Sequence, residues 1–310
     1  MSLEGMTNQP GPINDKTVLH MDSRNGSEIK RKRFGHETQN FSFNEGYFAK
    51  IADKQEVIMY DLFYNKCKGI VKPYLLPKCL GTGYFNEGNT ALKSGDPIEV
   101  MFTSKMTSEP RDGHPAMIFQ ADLTHGYEKP CLVDFKIGLR SWRVGSSQKK
   151  STRRRNKLYT EPTRTLKYHI RAAMWYGSSD EKFYQHDELC YVERNFGFFC
   201  TKEELDVFMH EFFKYPQQIP TYRKKLEELA TAFQKFHDTI GLRIYSGSVV
   251  VVYDAAHPEK FDLRFLDFAK GFYHIEEIAK KFGEPLDACE DYVVEGLRNL
   301  SNELGKLLEQ

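Results

Sequence analysis

The chain has 310 residues, 40% hydrophobic, 14% aromatic and 28% charged, a composition that excludes extensive disorder and allows one large domain or two lobes. Forty-four Lys and Arg against forty-three Asp and Glu exclude a global attraction to nucleic acid or acidic membranes, so any anion site is local. No apolar stretch is long enough to span a bilayer and the first residues lack the apolar core of a signal peptide, so a cytoplasmic or nuclear location is expected.

Residues 1–29 are rich in Asn, Gly, Ser, Asp and Pro and read as a disordered tail that cannot pack. The basic run Lys30, Arg31, Lys32, Arg33 closes it and reads as a solvated junction in preference to a nuclear signal. From 34 to 119, short apolar runs such as 47–51 and 117–119 alternate with Gly and Pro breaks around one helical stretch near 55–64, predicting a small sheet with a helix. After Asp122 a long basic stretch is followed by helical segments near 202–214 and 220–240, where a larger lobe is expected. The run Val249, Val250, Val251, Val252 predicts a strand over 248–253 buried on both faces. A second strand over 263–268, reached by a hairpin through 254–260, ends in Leu266, Asp267 and Phe268. From about Asp287, helical spacing of Tyr292, Leu297, Leu300, Leu304 and Leu308 predicts a helix packing one face. The six cysteines, Cys67, Cys79, Cys131, Cys190, Cys200 and Cys289, lack the paired spacing of a zinc site and read as reduced, structural thiols.

The sharpest motif is Pro130-Cys131-Leu132-Val133-Asp134-Phe135-Lys136-Ile137-Gly138. Its alternation predicts a strand, and the two-residue period puts Asp134 and Lys136 on one face. An ammonium beside a carboxylate is what a phosphoryl-transfer site needs, although an Asp-x-Lys taken alone is far more often an ordinary ion pair on an exposed strand. The second informative stretch is 139–171, where eleven Lys and Arg oppose only Glu161. With 147–158 helical, Lys150, Arg153, Arg154 and Lys157 share one face, a self-repelling arrangement that an anion carrying several phosphates relieves.

Pro-x3-Asp-x-Lys-x-Gly, present as Pro130, Asp134, Lys136 and Gly138, resembles the signature of the inositol polyphosphate kinase family. Gly247-Ser248-Val249-Val250 is similar to that family's Ser-Ser-Leu-Leu strand, and Leu266-Asp267-Phe268-Ala269-Lys270 to its Ile-Asp-Phe-Ala/Gly strand end. Asp291-Tyr292, Gly296-Leu297 and Asn299-Leu300 look like its C-terminal helix. The resemblance implies an α+β, two-lobed kinase-like fold, with an ATP-binding N-lobe over 30–120 and a C-lobe over 121–310 that holds its inositol phosphate with the segment at about 139–171. It implies ATP and Mg²⁺ as cofactors. Lys50, followed six residues later by Glu56, resembles the family's ATP-binding lysine and the acid after it; Ala121, Asp122 and Leu123 correspond to the adenine-holding hinge, where family members often carry Glu in place of Ala121. By the same resemblance Asp134 binds the ribose, Lys136 meets substrate and γ-phosphate, Asp267 holds the metal, and Lys150, Arg153, Arg154, Lys157 and Lys270 contact substrate phosphates.

The expected activity is transfer of the γ-phosphoryl of ATP to an inositol phosphate by a monomer, with no nucleic-acid partner and no stable membrane association. The compact interval between Gly138 and Lys157 is closer to the multikinase and hexakisphosphate kinase branches, whereas Lys270, where those branches usually carry His, resembles the trisphosphate 3-kinases. A module binding RNA or phosphoinositide through the basic stretch is the alternative of another class; 139–158 holds only Trp142 as the aromatic that single-stranded RNA would stack on before Leu158. A protein kinase is disfavoured because neither Gly-x-Gly-x-x-Gly nor His-Arg-Asp occurs.

Overall fold

A computed structural model describes residues 18–21, 40–42, 46–52, 54–67, 69–85, 98–103, 116–158, 161–177 and 183–309. By internal contacts the chain divides into two units, one formed by Met1–Leu62 with Pro77–Gly126 and the other by Phe63–Leu76 with Tyr127–Gln310. The stretch Phe63–Leu76, expected in the first lobe, belongs to the second, because the Phe63 ring packs against Phe233, Phe236 and Phe268.

The first unit contains β1 (Val18–Met21), β2 (Asn40–Ser42), β3 (Tyr47–Ala52), β4 (Cys79–Phe85), β5 (Ile98–Thr103), β6 (Ala116–Ala121) and the helix α1 (Lys54–Asp61). The strands form one antiparallel sheet in the order β1-β5-β4-β6-β3-β2. Central β6 buries Met117, Ile118 and Phe119 completely, and α1 buries Val57, Met59 and Tyr60. The expected tail is corrected at one place. The run Val-Leu-His-Met is apolar enough to pair, and as β1 it lies on the β5 edge with Val18 opposite Met101. The rest of that tail and the basic run 30–33 lie outside the described residues.

In the second unit, six strands form an antiparallel sheet: β7 (Pro130–Ile137), β8 (Tyr168–Tyr176), β9 (Tyr184–His186), β10 (Leu189–Val192), β12 (Gly247–Asp254) and β13 (Phe261–Leu266), in the order β13-β12-β7-β8-β10-β9. The short strands β11 (Arg243–Ile244) and β14 (Gly271–Phe272) pair separately. The helices are α2 (Gln148–Leu158), α3 (Thr163–Leu166), α4 (Arg194–Phe199), α5 (Lys202–Phe212), α6 (Ile219–Ile240), α7 (Ile275–Phe282) and α8 (Val293–Lys306). Burial alternates along β7, with Cys131, Val133, Phe135 and Ile137 fully buried and Leu132, Asp134 and Lys136 on the more open side. Strand β12 is buried at every position, as its valine run requires.

Local signals explain the helix ends. Thr201 and Glu204 close a capping box on α5, the Thr201 hydroxyl accepting from the Glu204 N–H at 3.2 Å and the Glu204 carboxylate from the Thr201 N–H at 2.8 Å. Helix α6 begins with Pro220 in its first turn and stops at Gly241, whose φ of 56° suits the left-handed cap. Helix α8 departs from expectation at both ends: Tyr292 precedes it with φ 61°, and Leu308 follows it, 45% exposed and off the packed face. No helix among the described residues is long and apolar enough to cross a membrane.

One buried residue ties these elements together. Asp291, fully buried, accepts the Ile244 N–H at 2.6 Å and the Val293 N–H at 2.9 Å through its carboxylate, and its backbone carbonyl accepts the Leu139 N–H at 3.2 Å. His237 from the last turn of α6 approaches within 3.5 Å. Glu290 beside it accepts the Asp291 and Tyr292 N–H groups. His237, Glu290 and Asp291 are close enough to hold a cation, but both carboxylates are occupied by main-chain donors and serve to fasten β11, the start of α8 and the end of β7. Asp291→Ala leaves two buried N–H groups unpaired and should lower unfolding free energy by about 3 kcal/mol, readable as a shifted urea midpoint at unchanged slope.

Candidate active site

Lys136 and Asp134 stand on the open face of β7, with Ser248 of β12 directly opposite Lys136 and Leu266 of β13 opposite Ser248. The chain then leaves β13. Asp267, expected to end that strand, lies one residue beyond it with φ 66°, and this left-handed turn brings its carboxylate back over the sheet. Lys136 Nζ donates to Asp267 Oδ2, to Ser248 Oγ at 2.6 Å and to the Ser246 carbonyl at 3.4 Å; the Ser248 hydroxyl lies 3.3 Å from Asp267 Oδ2. Ser246 also has a left-handed backbone, φ 67°, so two strained non-glycine residues flank one ammonium.

Gly138 closes the motif for a steric reason. Its φ is 87°, and a Cβ there would overlap the Asp291 carbonyl oxygen, so only glycine lets the end of β7 dock under α8.

At this site Asp134 and Lys270 are both displaced from their usual ranges. Burial raises the Asp134 carboxyl, and the Lys136 ammonium acts in the opposite direction; Asp134 Oδ1 is sealed from solvent without a hydrogen-bond partner. Burial, reinforced by the charges of Arg154 and Lys136, lowers the Lys270 ammonium to about 8. Lys270 Nζ donates to the Ser141 carbonyl at 2.9 Å, and Arg143 Nη2 to the Ala269 carbonyl at 2.7 Å. Lys136, Arg143, Arg154 and Lys270 thus surround the turn that carries Asp267, a concentration of positive charge suited to a polyanion.

The expected substrate face of α2 is divided. Arg154 is half-buried and its charge reaches Lys270, whereas Lys150 and Arg153 are exposed. Arg153 lines an open concavity of about 580 Å³ together with Gln148, Lys149, Thr152 and Asn156. The Lys157 side chain lies outside the described residues.

In the first unit, Lys50 of β3 forms an ion pair with Glu56 of α1, both largely buried. The hinge residues follow β6: the Ala121 N–H donates to the Lys78 carbonyl at 2.9 Å and the Asp122 N–H to the Gly46 carbonyl at 2.9 Å. Asp122 also caps its own turn, its carboxylate accepting from the Thr124 N–H and hydroxyl, each at 2.8 Å. The Leu123 N–H has no partner among the described residues.

Sequence reasoning assigned no role to Ser248, Ser246, Ser141 or Arg143. For Ser248 a signal existed, a single hydroxyl opening a strand of consecutive valines; for the carbonyls of Ser246 and Ser141 there was none, since any residue supplies that group.

A sequence model of the inositol polyphosphate kinase family matches residues 117–304. The chain is 24% identical to mouse inositol hexakisphosphate kinase 3 over 52% of this chain and 43% of that protein. It is 26% identical to an uncharacterized inositol polyphosphate kinase of Schizosaccharomyces pombe over 58% of this chain and 20% of that protein. It thus spans less than half the length of either relative. Its fold is similar to the crystal structure of the inositol phosphate multikinase Ipk2 of S. cerevisiae in complex with ADP and Mn²⁺, with a TM-score of 0.59 and 17% identity over 84% of this chain and 99% of that one. That likeness identifies the fold as the mixed helix-and-sheet kinase architecture expected from sequence.

Because the folded-state pKa of Asp134 is raised, the stability linked to its proton is fully present below the unfolded-state Asp range and is lost as pH rises through the folded value. The wild-type protein therefore bears a charge-burial cost at neutral pH that an amide does not. Asp134→Asn should melt at a higher temperature than wild type at pH 7.5, with the gain shrinking as the pH approaches the carboxylate range; calorimetry across that range checks it.

Proposed function

The chain belongs to the inositol polyphosphate kinase family, and we propose on that basis that it transfers the γ-phosphoryl group of ATP to an inositol phosphate at the Lys136–Asp267 site. The observation that carries this reading is the Lys136 ammonium fixed by Ser246, Ser248 and Asp267 amid Arg143, Arg154 and Lys270. Phosphoryl transfer needs little covalent help from a protein; it needs positioning and neutralisation of charge on the transferring group. Lys136 supplies the neutralising charge, and its three acceptors hold it in place. Lys270, Arg143 and Arg154 orient the acceptor through its phosphates. Asp134 accepts ribose hydroxyls, Lys50 meets nucleotide phosphates with Glu56 holding it, and Leu123 offers its N–H to adenine.

Asp267 fits a divalent metal. It is a carboxylate with 43% of its side chain exposed, the oxygen donor that Mg²⁺ accepts alongside phosphate oxygens and water. When bound, Mg²⁺ would neutralise charge on the phosphate oxygens.

The preferred acceptor is that of a multikinase-like or hexakisphosphate-kinase-like enzyme. The regular elements described between Gly138 and β8 are only the 11-residue α2 and the single turn of α3, a compact segment that favours an open pocket in which each substrate phosphate meets a point charge. Lys270 supports the competing trisphosphate 3-kinase reading. Purified protein with ATP, Mg²⁺ and a panel from tris- to hexakisphosphate, resolved by anion exchange and phosphorus NMR, separates them: a diphosphate signal or sequential phosphorylation supports the open pocket, and reaction of inositol 1,4,5-trisphosphate alone, at its 3-hydroxyl, overturns it.

Asp267→Asn and Lys136→Ala should each lower turnover by about a hundredfold or more without loss of the folded state. Turnover within tenfold of wild type for Lys136→Ala would remove it from the chemistry. Because Lys270 titrates at about 8, the KM for the inositol phosphate should rise as the buffer passes from about pH 7 to about pH 9, and Lys270→Met should abolish that rise.

A further inference from the structure

Between β7 and α2 the chain runs through an irregular stretch that is buried where loops are normally exposed: Leu139, Arg140, Trp142 and Val144 are each 5% exposed or less. The Arg140 guanidinium uses all three nitrogens. Nε donates to the Trp142 carbonyl at 3.1 Å, Nη1 to the Ala288 carbonyl, and Nη2 to Glu284 at 2.8 Å. It also lies over the Trp142 ring at 5.3 Å and the Tyr245 ring at 4.8 Å. Glu284 returns to the same stretch, accepting the Gly145 N–H at 2.6 Å. Trp142 is therefore held firmly, and its ring packs against Phe198.

Helix α2 meets that ring through Arg155, whose guanidinium lies 5.7 Å from the Trp142 centroid. Successive helical residues are separated by about 100° around the axis. With Arg155 on Trp142, Arg154 falls on the side where its charge reaches Lys270, and Arg153 turns to the exposed side. The same stretch grips the turn after Asp267 through the Ser141 carbonyl and Arg143. It thus connects the acidic turn to the basic helix.

We propose that Trp142 is a positioning residue and that Arg155 is its partner and not a phosphate ligand, their cation–π contact setting the rotation of α2 and so selecting Arg154 as the helix cation that faces the acceptor. The proposal rests on the kinase reading for its consequence, and on geometry alone for the contact.

The test combines kinetics with amide hydrogen exchange on full-length protein. Trp142→Ala and Arg155→Gln should each raise the KM for the inositol phosphate by roughly fivefold, the upper end for a cation–π pair whose guanidinium is exposed, while kcat and the KM for ATP stay within about twofold. Trp142→Phe, which keeps an aromatic face, should recover most of the loss. The double variant should be no worse than the worse single variant, whereas additive losses would show that Arg155 binds phosphate itself and overturn the proposal. Amides of 148–158 should exchange faster in Trp142→Ala and Arg155→Gln, with α5, α6 and α8 unchanged. Unchanged exchange in α2 would also overturn it. If wild-type protein transferred no phosphate yet α2 exchange responded as expected, the function would be wrong and the positioning contact right.

Discussion

The contact on which the second unit depends is the meeting of Asp291 with the end of β7. A buried carboxylate that accepts a main-chain donor on each oxygen is held firmly, and its own carbonyl takes the Leu139 N–H. That bond requires the backbone at position 138 to approach without a side chain, which Gly138 permits. Lys136 is two residues away on the same strand, so the ammonium inherits its position from a helix start far along the chain. The fixed glycine of the motif is thus a packing requirement that carries a chemical consequence.

Around Lys136 the protein accepts electrostatic arrangements that folding alone would avoid. Burial raises Asp134 and lowers Lys270, each shift disfavouring the charged form that binding uses, and four cations crowd one exposed carboxylate. Two residues beside them hold left-handed backbones. Such costs collect at functional sites, and an anion bound among the cations would relieve their mutual repulsion. The rest of the unit offsets them with an aromatic core of essentially fully buried rings, in which Phe135 meets Tyr168 edge-to-face and Trp175, Phe208 and Phe212 contact one another edge-to-face or stacked.

Much of this was legible in the sequence because strong periodicity translates directly into orientation. The alternation of 130–137 is enough to place Asp134 and Lys136 together, and the valine run is enough to bury β12. Family spacing singled out Lys50 and Glu56, and in the fold the two side chains form an ion pair. What escaped was set by non-local packing. The turn that returns Asp267 to the sheet depends on a backbone torsion that Asp does not advertise. The apolar composition of Val18–Met21 was too short to stand out from its polar surroundings, and it forms a strand only because the β5 edge is there to pair with it. Helical spacing alone gave Arg153 and Arg154 the same standing; what separates them is the seating of the helix, which meets Trp142 through Arg155 and leaves Arg153 exposed and Arg154 half-buried.

The placement of Phe63–Leu76 bears on how the molecule is made. This stretch is flanked on both sides by residues of the first unit, yet its partners Phe233, Phe236 and Phe268 come from the second half of the chain. As the polypeptide emerges in N-to-C order, Phe63 must wait for most of the remaining chain before its ring is covered, and the loop to be closed is long. The first unit therefore cannot be released from synthesis as a finished, self-contained piece: it carries an apolar insert that belongs elsewhere, and cutting the gene between the units at any single point would leave one of them short of a part of its core.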